Sequence, residues 1–281
     1  MTEEGRAEAE AQASAGRAPG GSAAVHSCVR PNSSARVNGV RIDPVTPAEF
    51  LSIVRSFQEC RASHLLHFCA AHPTVEARHD PEYRALLNKG DLNLPDGMPV
   101  AWAARTDGAP TMRLTGTDAL SLVAAWGVQA GLRHYLFGAT DDTLARLRDN
   151  LELAHPGIEI VGMESPPFRP ISDEELDATA ERISASGADA VWIGLGAPKQ
   201  DVIGDRLRRR NIAPTLFAVG AAFDFVSGTK RRAPAWMSRL GLEWVHRLGS
   251  EPGRLWKRYL VGNTRFVLGV ASDRVRGRGP A

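Results

Sequence analysis

The sequence predicts an α/β fold: a Rossmann-like, mostly parallel sheet flanked by helices, followed by a basic amphipathic helical appendage. Three observations carry this. Short apolar runs alternate with amphipathic runs of roughly 10–15 residues, the pattern of βαβ units. Glycine- and proline-bearing turns follow the apolar runs, where a parallel sheet places its ligand loops. Finally, charge and apolar patterning change together in the last fifth. Residues 230–281 hold 12 Lys/Arg against three acids, whereas the preceding residues hold 22 against 29. A formal net charge of +2 thus conceals an acidic body and a basic tail, an asymmetry that points to a polyanionic partner.

The elements follow in order. Residues 1–24 are rich in Ala, Gly and Glu, without an aromatic residue, and no apolar run follows Met1. Residues 1–40 are therefore expected as a disordered extension, not a signal peptide. Pro47–Arg61 reads as a helix, His64–Cys69 as a strand, and Thr74–Asn88 as one helix ending near Gly90. Leu92–Leu94 is a short strand running into the turn Pro95-Asp96-Gly97. Helix Thr117–Gly131, strand His134–Phe137, helix Asp141–Ala154 and strand Ile158–Val161 come next. Ser172 caps a helix over Asp173–Ser186, and Ala190–Leu195 has the strongest strand character. Pro198–Arg210 is helical, and Thr215–Val219 is the last strand. The expected catalytic domain spans 41–235, the membrane-associating appendage 236–270 and a flexible tail 271–281. Three cysteines, Cys28, Cys60 and Cys69, supply no disulfide framework and fit a reducing cytoplasm.

From Arg254 to Val270 the residues sort onto two helical faces. Arg254, Arg258 and Arg265 fall within about 40° of one another, opposite Leu255, Trp256, Tyr259, Leu260, Phe266, Val267 and Val270. Such a helix lies at a lipid interface or packs on its own domain. Neither zinc spacing nor an RNP-like aromatic motif supports a nucleic-acid partner. His64, His67, Cys69 and His72 have no recognised zinc spacing, and strand alternation separates them, so no metal site is expected.

Four loops after predicted strands hold the unusual residues. Asp96 sits at a strand-to-helix turn. Gly194-Leu-Gly196-Ala-Pro198-Lys199-Gln200 joins a glycine turn to a helix start bearing a cation and an amide, features that attract phosphate. Gly220-Ala-Ala-Phe223-Asp224 places an acid beyond a glycine-bearing strand, and Phe137-Gly138-Ala139-Thr140 is a smaller version. The second loop is neither a dinucleotide fingerprint nor a Walker loop, which disfavours an NAD-type oxidoreductase on a similar sheet.

Read in order, several segments resemble the WecG/TagA/CpsF glycosyltransferase family. They are Leu94-Pro-Asp96-Gly97-Met98, Arg113-Leu-Thr-Gly116-Thr-Asp118, Gly194–Gln200, Val219–Phe225, Arg232-Ala-Pro234, Gly241-Leu-Glu243-Trp244 through Arg247, and Glu251-Pro252 through Leu260. The resemblance spans roughly Val45 to Phe266. It implies an inverting enzyme that moves a sugar, of N-acetylmannosamine type or another hexose derivative, from a UDP-sugar to a polyprenyl-diphosphate-linked acceptor during surface-glycan synthesis. It implies a cytoplasmic enzyme, here placed peripherally on the inner face of the membrane and held to an anionic surface, and it favours self-association. No cofactor beyond the donor substrate is expected.

The resemblance also implies roles. Asp96 matches the base that takes the acceptor's proton. Gln200 and Asp224 match nucleotide contacts, and Arg113 and Asp118 are further matches, Asp118 being equally placed to cap a helix. Gly196 lets main chain approach a ligand closely, and Lys199 either reaches a phosphate or sits solvated. Arg247, Arg254 and Arg258 match arginines that complete the site. No Asp-x-Asp occurs in the chain, so cations are expected to offset the leaving group's charge without metal. Two departures stand out. Ala70 fills a position where many members carry Thr or Asn, leaving His72 or Thr74 to supply a polar group for the acceptor. Asp201 replaces the usual Glu after Lys-Gln and is expected to serve the same helix start. The competing reading is a non-catalytic module that binds anionic lipid through its tail.

Overall fold

The computed structural model describes residues 31, 33–60, 62–105, 112–250 and 252–275. Its centre is a six-stranded parallel sheet: β3 (His64–Cys69), β4 (Leu92–Pro95), β5 (Arg133–Gly138), β6 (Glu159–Glu164), β7 (Ala190–Gly194) and β8 (Thr215–Ala218). The spatial order is β4-β3-β8-β7-β5-β6, and every pairing is parallel. The predicted fold class is borne out. Cys69 pairs with Pro95, His67 and Ile193 both pair with Ala218, and Gly138 pairs with Gly194. The strands thus end nearly level, and the loops after them form one edge.

Alternation along the strands feeds two cores. Trp192 and Phe217 stack at 4.1 Å between ring centroids and face α1 (Pro47–Glu59), α5 (Gly116–Ala130) and α6 (Asp141–Ala154). Val191, Ile193 and Leu216 face the other way, onto α7 (Asp173–Ser186) and α8 (Lys199–Arg208). Reciprocal capping boxes begin three of these helices: Thr46 with Glu49, Thr115 with Asp118, and Ser172 with Glu175, each satisfying two otherwise unpaired N–H groups. The helix after β5 lies on one face and the helix after β7 on the other. Their loops therefore diverge between adjacent strands, which opens a crevice at the carboxyl edge.

Several expectations need correction. β1 (Ala35–Val37) and β2 (Val40–Ile42) form an antiparallel hairpin whose first strand lies inside the expected disordered extension. Its turn is Asn38-Gly39, with φ of 53° and 81°, the combination that favours a two-residue hairpin. The single helix expected over 74–88 is two, α2 (Ala71–His79) and α3 (Pro81–Lys89). Pro81 cannot continue the first, and Asp80 caps the second through the Glu82 and Tyr83 amides. Cys69 is a buried free thiol, while Cys60 is disulfide-bonded, where no disulfide was expected.

After β8 come α9 (Ala222–Val226), α10 (Ala235–Arg239), α11 (Glu243–Ser250) and α12 (Pro252–Val275), while α4 (Met98–Ala103) follows β4. The helix α12 is not a free appendage. Phe266 and Val270 join a core formed with the hairpin, α2, α3 and α4, and Arg78 pairs with Asp273 at 2.8 Å. The helix thus runs five residues into the expected tail, of which 276–281 lie outside the described residues. The predicted apolar arc is split: Phe266 and Val270 point inward, while Trp256, Leu260 and Val267 are exposed. No helix of the described residues is long and apolar enough to cross a membrane.

Candidate active site

The loops after four strands meet in one row. Asp96 follows β4; its N–H donates to the Cys69 carbonyl at 3.1 Å. Its Oδ1 accepts from the Gly116 N–H at 3.2 Å, so the carboxylate sits at the amino end of α5, where the helix dipole favours negative charge. Gly116 in turn presses on the chain leaving β8: a Cβ there would lie 2.8 Å from the Val219 carbonyl oxygen. A Cβ on Gly220 would lie 3.0 Å from Gln200 Oε1. Gln200 Oε1 accepts from the Gly196 N–H at 3.1 Å. The row closes on β5 with Ala139 N–H donating to the Gly194 carbonyl at 3.2 Å. Asp96, Gly116, the Val219-Gly220 pair, Gln200 and Gly196 therefore follow one another along the sheet's carboxyl edge.

Gln200 is buried, and its Nε2 also donates to the Ala218 carbonyl at 2.8 Å. The two ends of its amide thus hold the backbone of the Gly196 turn and of strand β8, fixing one against the other. Lys199 Nζ reaches the carbonyls of Pro167 and Arg169 at 3.5 and 3.4 Å, tying the β6–α7 loop to the same edge. Asp224 lies past Gly220 and pairs with Lys230 at 3.0 Å. Asp118 belongs to the α5 capping box and pairs with Arg232 at 3.2 Å. Burial alone would raise its pKa, but the Thr115 hydrogen bonds and the Arg232 charge outweigh burial and hold it below the usual range. Arg113 Nε donates to the Asp96 carbonyl at 2.8 Å, and its other arm reaches Glu243 at 2.7 Å.

His72 stands apart from the row. It pairs with Glu76 at 3.2 Å in the first turn of α2. There it lines a cleft of ≈ 720 Å³ with Tyr83, Pro198, Val202, Val261 and Arg265, between α2, α3, α8 and α12. Arg247 lies in α11, and Arg254 and Arg258 lie in α12; their side chains are outside the described ones.

Sequence reasoning named three further residues without finding their partners. Arg232 reaches Asp118 and Thr115 from beyond α9, and Glu243 reaches Arg113 across 130 residues. Asp201 lies in the first turn of α8, as expected, but its carboxylate is engaged elsewhere. It is buried, bonded to His67 Nδ1 at 2.7 Å and accepting from the Tyr83 hydroxyl at 2.6 Å, so it anchors α8 to β3 and α3. Burial, then the neighbouring Asp201 carboxylate, pushes the Tyr83 phenol up. Among the described residues no three His, Cys, Asp or Glu side chains group to hold a metal ion.

With this geometry in hand, similarity to known proteins is informative. The model of the Glycosyl transferase WecG/TagA/CpsF family matches residues 35–280. A relative from Bacillus spizizenii (strain ATCC 23059 / NRRL B-14472 / W23), N-acetylglucosaminyldiphosphoundecaprenol N-acetyl-beta-D-mannosaminyltransferase, is 32% identical over 193 residues, covering 68% of this chain and 73% of its own length.

Proposed function

Because the chain belongs to the WecG/TagA/CpsF glycosyltransferase family, we propose that it moves an N-acetylmannosamine-type sugar, or another hexose derivative, from a UDP-sugar to a polyprenyl-diphosphate-linked acceptor, with inversion. The observation that carries this reading is the row itself. A carboxylate at a helix amino end is joined, contact by contact, to two glycine turns and a helix start suited to a nucleoside diphosphate. In the reaction Asp96 takes the proton of the acceptor hydroxyl as its oxygen attacks the anomeric carbon from the face opposite the leaving group. The bond to UDP breaks, and the departing diphosphate receives backbone N–H groups of the β7–α8 and β8–α9 loops. Arg247, Arg254 and Arg258 offset its charge, in keeping with the missing Asp-x-Asp pair. The buried amide of Gln200 keeps the Gly196 turn in shape, so these donors need no reorganisation as charge develops.

The relative's name makes an N-acetylglucosamine-diphosphate lipid the first acceptor to try. The exposed apolar side chains of α12, set among its arginines, support docking on an anionic cytoplasmic membrane face and a homo-oligomer. Supplied with UDP-N-acetylmannosamine and a short-chain lipid-diphosphate acceptor, the full chain should yield the disaccharide lipid by mass spectrometry, with chelators altering the rate less than twofold. Asp96→Asn should lower kcat by about 10³-fold while UDP binding persists. Turnover within tenfold of wild type would assign the proton transfer to another group.

A further inference from the structure

We propose that Glu243 is a positioning residue: through Arg113 it fastens the Asp96 turn to the C-terminal helices. The inference rests on Asp96 acting as the base, and it adds a link between that base and the segment expected to meet the membrane. Arg113 is the bridge. Its Nε donates to the Asp96 backbone carbonyl at 2.8 Å, and its terminal nitrogen donates to Glu243 Oε2 at 2.7 Å. The paired side chains are only 16% and 20% exposed, so water screens the pair weakly. A second contact acts on the same turn. Gly241, with φ of 71°, lies over α4, and a Cβ there would come within 2.8 Å of the Trp102 ring and 3.5 Å of Met98. Helix α4 begins two residues after Asp96. The segment 241–243 therefore grips the turn from both sides, by packing on α4 and by charge on Arg113.

The choice of a carboxylate at 243 follows from what Arg113 would otherwise do. A guanidinium bound to the Asp96 carbonyl lies close to the Asp96 carboxylate. With Glu243 neutralised it is free to swing onto that carboxylate, removing the base from its place beside Gly116. Glu243 holds the guanidinium on the backbone side, leaving the carboxylate at the α5 amino end. Undocking α11 from the body would release the same grip.

The test uses the full-length chain with Glu243→Gln and Glu243→Asp. Glu243→Gln should lower kcat at least tenfold with donor KM within twofold, and Glu243→Asp should restore kcat to within threefold of wild type. By hydrogen exchange, backbone amides of 95–104 and 112–118 should open at least threefold faster in Glu243→Gln, with 190–195 and 215–219 unchanged. Either kcat within twofold of wild type, or exchange that is unchanged or faster throughout the sheet, overturns the proposal. If the wild type transfers no sugar, the functional reading fails, and the exchange arm still decides whether Glu243 holds the turn.

Discussion

Gln200, at the sheet's carboxyl edge, is 4% exposed and bonded at both ends of its amide; Leu268, on the last helix, is 65% exposed. The two regions prepare for ligands in opposite ways. At the edge, polar side chains are spent on loop backbone, so the turns are rigid before any substrate arrives. On α12, one face is committed to the hairpin and α2 through Phe266, Val270 and the Arg78–Asp273 pair, while Trp256, Leu260, Val267 and Leu268 are exposed. A preorganised edge suits charge stabilisation. An exposed apolar strip on an arginine-bearing helix suits a surface that itself supplies apolar contact and anionic charge. Glu243, at the start of α11, and Arg113 tie the edge to the helix that precedes α12.

The comparison can be broken or sharpened by stability and binding measurements. Phe266→Ala should cost about 3–5 kcal/mol in urea unfolding, because it empties a packed site between α12 and the hairpin. A cost under 1 kcal/mol would mean that the helix is not committed to the body. The sheet should show its own acid sensitivity through His134. Burial pushes its pKa down to about 4, and Trp192 Nε1–H donates to its Nδ1 at 3.0 Å, holding the neutral ring. The unfolded chain protonates it near 6.5, so its contribution is complete above pH 6.5 and is lost as pH falls toward 4. The stability advantage of wild type over His134→Gln should shrink by about 3 kcal/mol across that window; a constant difference would remove His134 as the sensor. Trp256→Ser combined with Leu260→Ser should weaken binding to anionic vesicles about tenfold, roughly 1.4 kcal/mol, leaving urea unfolding unchanged. Val267→Ala should be smallest, within about 0.5 kcal/mol of wild-type stability. Equal losses for Phe266→Ala and Val267→Ala would erase the distinction between the helix's two faces.

Much of the sheet was legible because its signals are local. Capping residues, period-two apolar runs and glycine turns act within a few residues, so strands such as β7 and helices such as α6 and α7 fall where the pattern puts them. The hairpin was also legible in principle: Val37-Asn38-Gly39-Val40 is a turn signal, hidden beside a long low-complexity extension. The break at Asp80-Pro81 is equally local, and apolar periodicity obscured it. Asp96, Gly196 and Gln200 stood out as loop residues, and the structure brings them into one row. What sequence did not reveal were partners chosen by folding. Arg113 finds Glu243, Asp118 finds Arg232, and Asp201 finds His67 and Tyr83, each across more than a hundred residues.

The chain alone determined the α/β alternation, the acidic body with its basic tail, and the identity of the loops that end the strands. These follow from short-range backbone preference and from composition, which need no third dimension. Tertiary structure alone decided that Gln200 closes on backbone, that α12 is docked on one face and exposed on the other, and that Arg113 spans the Asp96 turn and the start of α11. Those outcomes depend on which distant surfaces exclude water together, a property that no window of sequence contains.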